Sequence, residues 1–229
     1  MSYHRPFKKL RHLFFQLATP VFKKGYKIYT SRKTHFSYKG VDLVVFPEVF
    51  HPRFTISTKY FVDFILSLDL DNKKVLELGC GSGLISLHSA KRGANVIASD
   101  INPSAIQGLE FNAQKMGLKV ECIESDLFEN ISTDDFNYII INPPYYPKEP
   151  ENIEQTAWYC GEDFDYFHKL FDQLPKHIQE DTSVLMVLSE DCDLVHIKQI
   201  ATDSGFYFEL KDKRVVNAEE NYIFKIRKN

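Results

Sequence analysis

The chain has 229 residues, 44% hydrophobic and 26% charged, enough for one α/β domain with a well-buried core and a small appendage. Its net charge of −3 hides a split: residues 1–40 carry ten Lys or Arg and no Asp or Glu, leaving 18 basic against 31 acidic side chains on the rest. No apolar run approaches the about 20 residues of a bilayer span, and no apolar core with a small-residue cleavage site opens the chain. The four cysteines (Cys80, Cys122, Cys160, Cys192) show neither C-x-x-C nor His-paired spacing. The expectation is no membrane insertion, no secretory signal, no metal site and unpaired thiols in a reducing cytoplasm.

Residues 5–24 place Phe7, Leu10, Leu13, Phe14, Leu17 and Val21 at helical spacing with lysines between, and Pro20 ends or kinks that helix. An excess of +10 over residues 1–40 suits an anionic surface such as RNA or the ribosome, or packing against the chain's own acidic remainder. Residues 26–30 and 41–46 read as strands of a hairpin turning near Lys39-Gly40. Pro47 and Pro52 then force an extended stretch holding His51 and Arg53 near a plausible pocket, although a lone His or Arg in such a loop is more often structural. Ser57 or Thr58 caps a helix over Tyr60 to Leu68, with Phe61, Phe64, Ile65 and Leu68 on one face.

The most informative stretch follows. Val75 to Leu78 is a short buried strand, Gly79, Gly81 and Gly83 form a turn, and Leu84 to Arg92 is helical. Strand, glycine turn and helix N-terminus make a nucleotide-type site, because the turn leaves no Cβ between backbone and ligand and the helix presents free N–H groups. The dinucleotide fingerprint needs G-x-G-x-x-G, and here Leu84 stands where the third glycine belongs. Glu77, two residues before Gly79, repels a pyrophosphate and attracts an ammonium. A cofactor with an amino-acid tail therefore fits better than a dinucleotide.

Asn95 to Ser99 is the next strand and ends in Asp100, placed to accept hydrogen bonds from both ribose hydroxyls. Asn102-Pro103 opens a helix that Gly117 stops. Lys119 to Ile123 is a third strand, followed by Asp126. Phe136 to Ile141 is a fourth, ending in Asn142-Pro143-Pro144-Tyr145. That tetrapeptide has a chemical logic. An amide or ring-attached amine is a poor nucleophile because its lone pair is delocalised. The Asn142 side-chain oxygen and the Pro143 carbonyl can each accept one N–H, and the locked φ of the prolines fixes the carbonyl direction. Tyr145 offers a flat face to a planar group. Residues 147–162 are a long loop holding Trp158; helices cover Asp165 to Ile178 and 193–203; strands cover Ser183 to Leu188, Phe206 to Leu210 and Tyr222 to Ile226, the last two joined by a turn over Asn217 to Asn221.

The run from Glu77 to Gly83 resembles motif I of class I S-adenosylmethionine (SAM) methyltransferases, and with Asn142-Pro143-Pro144-Tyr145 it resembles the amino-group N-methyltransferases: HemK-type glutamine enzymes and the adenine-N6 and guanine-N2 enzymes. The resemblance covers residues 45–229. It implies a doubly wound, seven-stranded, mainly parallel α/β sheet in the order 3-2-1-4-5-7-6 with strand seven antiparallel. Residues 1–44 are then a small basic N-terminal helix-and-hairpin extension. It implies SAM as cofactor, with Glu77, Gly79, Gly81 and Gly83 on the methionine part, Asp100 on the ribose and Asp126 on the adenine amino group. Asn142, Pro143 and Tyr145 would position the acceptor nitrogen. Thr58 falls where related enzymes often carry a Thr. The chain lacks the P-R-x-E-T-E segment and long helical N-terminal domain of full-length HemK-type enzymes, so the macromolecular acceptor stays open between a protein glutamine and an RNA base of the translation apparatus. Two other readings are a catalytically silent SAM-fold factor that binds RNA or the ribosome, against which the intact Asn142-Pro143-Pro144-Tyr145 counts, and a nicotinamide dehydrogenase, against which Leu84 and Glu77 count.

Overall fold

The computed structural model describes residues 29–216 and 219–229. The expected helix over 5–24 lies outside the described residues. One seven-stranded sheet carries the architecture. Its strands are β3 (Lys74–Leu78), β4 (Asn95–Asp100), β5 (Val120–Glu124), β6 (Tyr138–Ile141), β7 (Ser183–Ser189), β8 (Phe206–Val216) and β9 (Glu219–Lys228), in spatial order β5-β4-β3-β6-β7-β9-β8. Neighbours from β5 to β7 pair in parallel, and β9 runs antiparallel to both β7 and β8. Counted from β3, this is the order the sequence led us to expect.

The interior strands are apolar on both faces, as a sheet covered on both sides requires. Val75, Ile140, Leu185 and Val187 enter one core, while Leu76, Leu78, Ile139, Ile141, Val184 and Met186 enter the other. The first core receives α1 (Ile56–Ile65), α2 (Leu84–Lys91) and α3 (Pro103–Met116) through Phe61, Ile65, Leu84, Leu87 and Leu109. The second receives α4 (Asp165–Gln173) and α5 (Leu194–Asp203) through Phe167, Leu170, Phe171 and Ile197. Asp193 caps α5 by accepting from the His196 N–H at 3.1 Å. Among the described residues no helix is long and apolar enough to cross a membrane, and the four cysteines are unpaired.

Several boundaries differ from expectation. The hairpin is β1 (Thr34–Tyr38) against β2 (Val41–Val45), not 26–30 against 41–46. Its turn is the two residues Lys39-Gly40, both at positive φ, which forces Tyr38 opposite Val41 and so selects residues 34–38 as the partner strand. Tyr29 and Thr30 are helical, and 26–28 lie outside the described residues. The N-cap of α1 is Thr55, so Ser57 and Thr58 sit in the first turn. Helix α4 stops at Gln173 and continues as a 3-10 turn over Leu174–Lys176, because Pro175 cannot donate to the α-helical ladder. Strands β8 and β9 run past their expected ends, so that residues 219–221 of the expected turn belong to β9, while Asn217 and Ala218 lie outside the described residues.

Candidate functional site

The chain winds outward from β3 through β4 to β5, then crosses back past β3 to β6 and on to β7. The carboxyl ends of β3 and β6 therefore flank the point where the winding reverses, which is where doubly wound sheets bind ligands. Leu78, the last residue of β3, pairs with Ile141, the last of β6, so Gly79 and Asn142 leave the sheet side by side. Asp100 ends β4, and Asp126 follows β5 by two residues, on the same edge.

The glycine turn has φ of +74°, +50° and +73° at Gly79, Gly81 and Gly83. A Cβ at Gly79 or Gly81 would meet nothing within 4 Å, so open space lies in front of both. At Gly83 it would come within 2.5 Å of Leu109 Cδ1, so that glycine serves the packing of α2 on α3. The Ser99 carbonyl accepts the N–H groups of Gly79 and Cys80, each at 2.9 Å. Asp100 Oδ2 accepts the Gly81 N–H at 2.7 Å and Oδ1 the Asn102 N–H at 2.8 Å. Burial raises the Asp100 pKa, while these backbone donors work the other way.

Glu77 is buried beneath the turn. Its Oε2 accepts the Ser86 N–H at 2.8 Å and also the Ser86 hydroxyl. Burial pushes its pKa up to about 8; the Ser86 bonds oppose this and the nearby Asp100 adds to it. Asp126 is more exposed, and its Oδ2 meets Lys169 Nζ at 2.6 Å; the same ammonium reaches Glu129 at 2.6 Å.

Asn142 donates from Nδ2 to Thr58 Oγ1 at 3.1 Å. Pro143 is buried. The Tyr145 ring lies 4.8 Å from that of Tyr146 and packs against the second core, and burial raises its phenol pKa. The loop after it is clamped in place: Tyr146 donates to the Trp158 carbonyl at 3.1 Å, and Cys160 donates to the Tyr146 carbonyl at 3.0 Å. Trp158 in turn meets Phe50 edge to face at 4.4 Å between centroids.

Of the residues singled out, the structure brings Gly79, Gly81, Asp100 and Asn142 to one edge of the sheet, with Glu77 directly under the turn. His51 is packed among aromatic rings. Its own ring is fully buried among Tyr29, Phe36 and Phe54, and its Nδ1 accepts the Arg53 N–H at 3.1 Å. Burial, then the charge of Arg53, lowers its pKa to about 4, so it is a neutral packing residue. Sequence reasoning missed Ser86, Lys169 and Asn102 Nδ2, which donates to the Glu48 carbonyl at 2.8 Å. Ser86 alone carried a signal, a polar residue set among the apolar Leu84, Ile85 and Leu87.

Comparison with known proteins agrees with this geometry. Residues 41–200 match the family described as Methyltransferase small domain. A Methanocaldococcus jannaschii protein, provisionally named a protein N5-glutamine methyltransferase, is 42% identical over 122 residues, 51% of this chain and 57% of that one. The release factor glutamine methyltransferase of Borreliella burgdorferi is 31% identical over 214 residues, 87% of this chain and 72% of that one. The structure of the E. cuniculi Mtq2-Trm112 complex superposes with a TM-score of 0.60 at 20% identity, over 80% of this chain and 99% of that one, and shares the fold. The chain spans little more than half the length of the M. jannaschii relative. The turn after β3, the carboxylate ending β4, the Asn-Pro-Pro-Tyr segment after β6 and these matches lead to one conclusion: the chain belongs to the methyltransferase small domain family, within the class I SAM-dependent methyltransferases.

Proposed function

We propose that this chain methylates a planar nitrogen, the side-chain amide of a protein glutamine, with SAM as the methyl donor. The observation that carries the reading is the juxtaposition of the open glycine turn after β3 with Asn142-Pro143-Pro144-Tyr145 after β6, fixed by the Leu78–Ile141 pair. The open space before Gly79 and Gly81 and the carboxylate at Asp100 fit a nucleoside with an amino-acid tail. In this reading Gly79 and Gly81 receive the methionine part with Gly83 packing α2 behind them, Glu77 gives up its proton to offer charge to the cofactor's ammonium, Asp100 receives the ribose and Asp126 the adenine amino group. When bound, SAM would supply an electrophilic methyl carbon: as the nitrogen–carbon bond forms the carbon–sulfur bond would break, S-adenosylhomocysteine would leave, and one hydrogen of the methylated nitrogen would pass to water. The chain's own task is positioning. Asn142 Oδ1 and the Pro143 carbonyl take one amide hydrogen each and turn the nitrogen's lone pair to the methyl, while Tyr145 lines the acceptor plane. No strong general base is needed.

The names of the relatives, glutamine methyltransferases, support an amide acceptor. A second reading, an exocyclic amine of an RNA base, is favoured by the ten cationic side chains of residues 1–40. Incubation with methyl-tritiated SAM, a peptide-chain release factor and small-subunit rRNA separates the two. We expect label in the protein, recovered as N5-methylglutamine, and its loss in Asn142→Ala with S-adenosylhomocysteine binding retained. Label in the RNA alone overturns the glutamine assignment. Nucleoside binding with no transfer to either acceptor supports the silent binding factor instead.

A further inference from the structure

We infer that Thr58 is a positioning residue that sets which end of the Asn142 carboxamide faces the acceptor; this rests on the reading of Asn142 given above. A carboxamide is ambiguous: one end accepts hydrogen bonds and the other donates them. Only the oxygen end can hold an acceptor N–H. A rotation of 180° about the last side-chain bond would set donor against donor. At Asn142 the structure sets one orientation, with Nδ2 donating to Thr58 Oγ1 at 3.1 Å, and the Thr58 hydroxyl keeps it when its own proton is turned off the amide toward the neighbouring Thr55 Oγ1, 3.0 Å away. With the nitrogen so engaged, Oδ1 occupies the other end of the amide plane.

The surroundings of Thr58 suit that role. Its side chain is buried, so water is a poor substitute partner. Thr55 Oγ1 lies 3.0 Å from Thr58 Oγ1. Thr55 is the N-cap of α1 and makes no side-chain cap bond to the helix backbone, although a capping hydroxyl normally stabilises a helix. Its hydroxyl is turned to Thr58 instead. The segment bearing both threonines is tethered on either side of the site, by Asn102 Nδ2 donating to the Glu48 carbonyl and by Phe50 against Trp158. Thr58 is thus held by a frame spanning the cofactor and acceptor sides.

Thr58→Val keeps shape and branching and removes the oxygen; Thr58→Ser keeps the oxygen. With methyl-tritiated SAM and a release factor as acceptor, we expect kcat in Thr58→Val to fall about tenfold, with S-adenosylhomocysteine affinity unchanged and Thr58→Ser within about twofold of wild type. A wild-type kcat in Thr58→Val overturns the assignment, and so does a Ser variant as slow as the Val variant, which would mean packing. If Asn142→Ala keeps full transfer, the reading of Asn142 has failed; if it abolishes transfer while Thr58→Val does not, only the role of Thr58 has failed. A measurement that needs no acceptor runs beside it. The Asn142 side-chain NH2 signal in a ¹⁵N–¹H spectrum, identified by its loss in Asn142→Ala, should shift in Thr58→Val and stay near its place in Thr58→Ser. An unmoved signal in the Val variant overturns the assignment whatever the acceptor.

Discussion

At the scale of single residues, the proton on Glu77 ties pocket to stability. Burial lifts its pKa from 4.5 to about 8. A raised carboxyl pKa means that the folded chain holds a proton which the unfolded chain releases, so stability falls as pH rises from about 4.5 to about 8. Glu77→Gln cannot ionise, and its amide oxygen can still accept the Ser86 N–H. Relative to wild type we expect this variant to be little changed at pH 5 and more stable at pH 9, by roughly 2 to 4 kcal/mol. Thermal melts at the two pH values check this, and an equal difference in Tm at both would refute it. Glu77, Asp100 and Asn142 were legible in the sequence because each sits at or next to a strand's carboxyl end, and chain order alone brings those ends together. The partners Ser86, Lys169 and Thr58 were not legible as partners. The Lys169–Asp126 pair joins residues 43 apart and Thr58–Asn142 joins residues 84 apart, and such contacts depend on how helices rotate against the sheet.

At the scale of elements, the β1–β2 hairpin shows what a sequence hides. Apolar runs identified the strands of the main sheet. Thr34–Tyr38 alternates with exposed residues and reads weakly by itself, and only the two-residue turn names it as the partner of Val41–Val45. The outer edge of β2 is closed by a side chain. Asn112, fully buried on α3, accepts the Val44 N–H and donates to the Val44 carbonyl, both at 2.8 Å, and so stands in for a third strand. Its Nδ2 also donates to the Gly108 carbonyl at 2.8 Å. Asn112→Ala strands a buried backbone donor and acceptor, and we expect a loss of about 2 to 4 kcal/mol. The urea midpoint should drop with the slope unchanged; a loss under about 0.5 kcal/mol would mean that water replaces the amide.

At the scale of the whole molecule, distant parts of the chain meet at one carboxylate. Asp63 on α1 accepts the Tyr38 hydroxyl at 2.8 Å and pairs with Lys39 at 2.7 Å and Arg214 at 3.0 Å, joining the hairpin, the helix and β8. Burial works against its charge, but the bonds from Lys39, Tyr38 and Arg214 prevail and hold its pKa below the usual value. A depressed carboxyl pKa contributes stability that is present at neutral pH and lost on acidification through the folded value. Asp63→Asn should cost about 1 to 2 kcal/mol at pH 7 in low salt. That gap should narrow below about pH 4 and in 1 M salt, and a gap indifferent to both would assign the effect to shape rather than charge. The sheet order has its own bearing on biosynthesis. Strand β9 follows β8 in the chain yet lies between β7 and β8. While a ribosome is still adding residues 219–228, the nascent chain has a β7 with an unpaired edge and a β8 with no neighbour to join. The cofactor half of the sheet can pair its strands in the order they emerge, whereas the far half closes only when its middle strand arrives after both of its flanks.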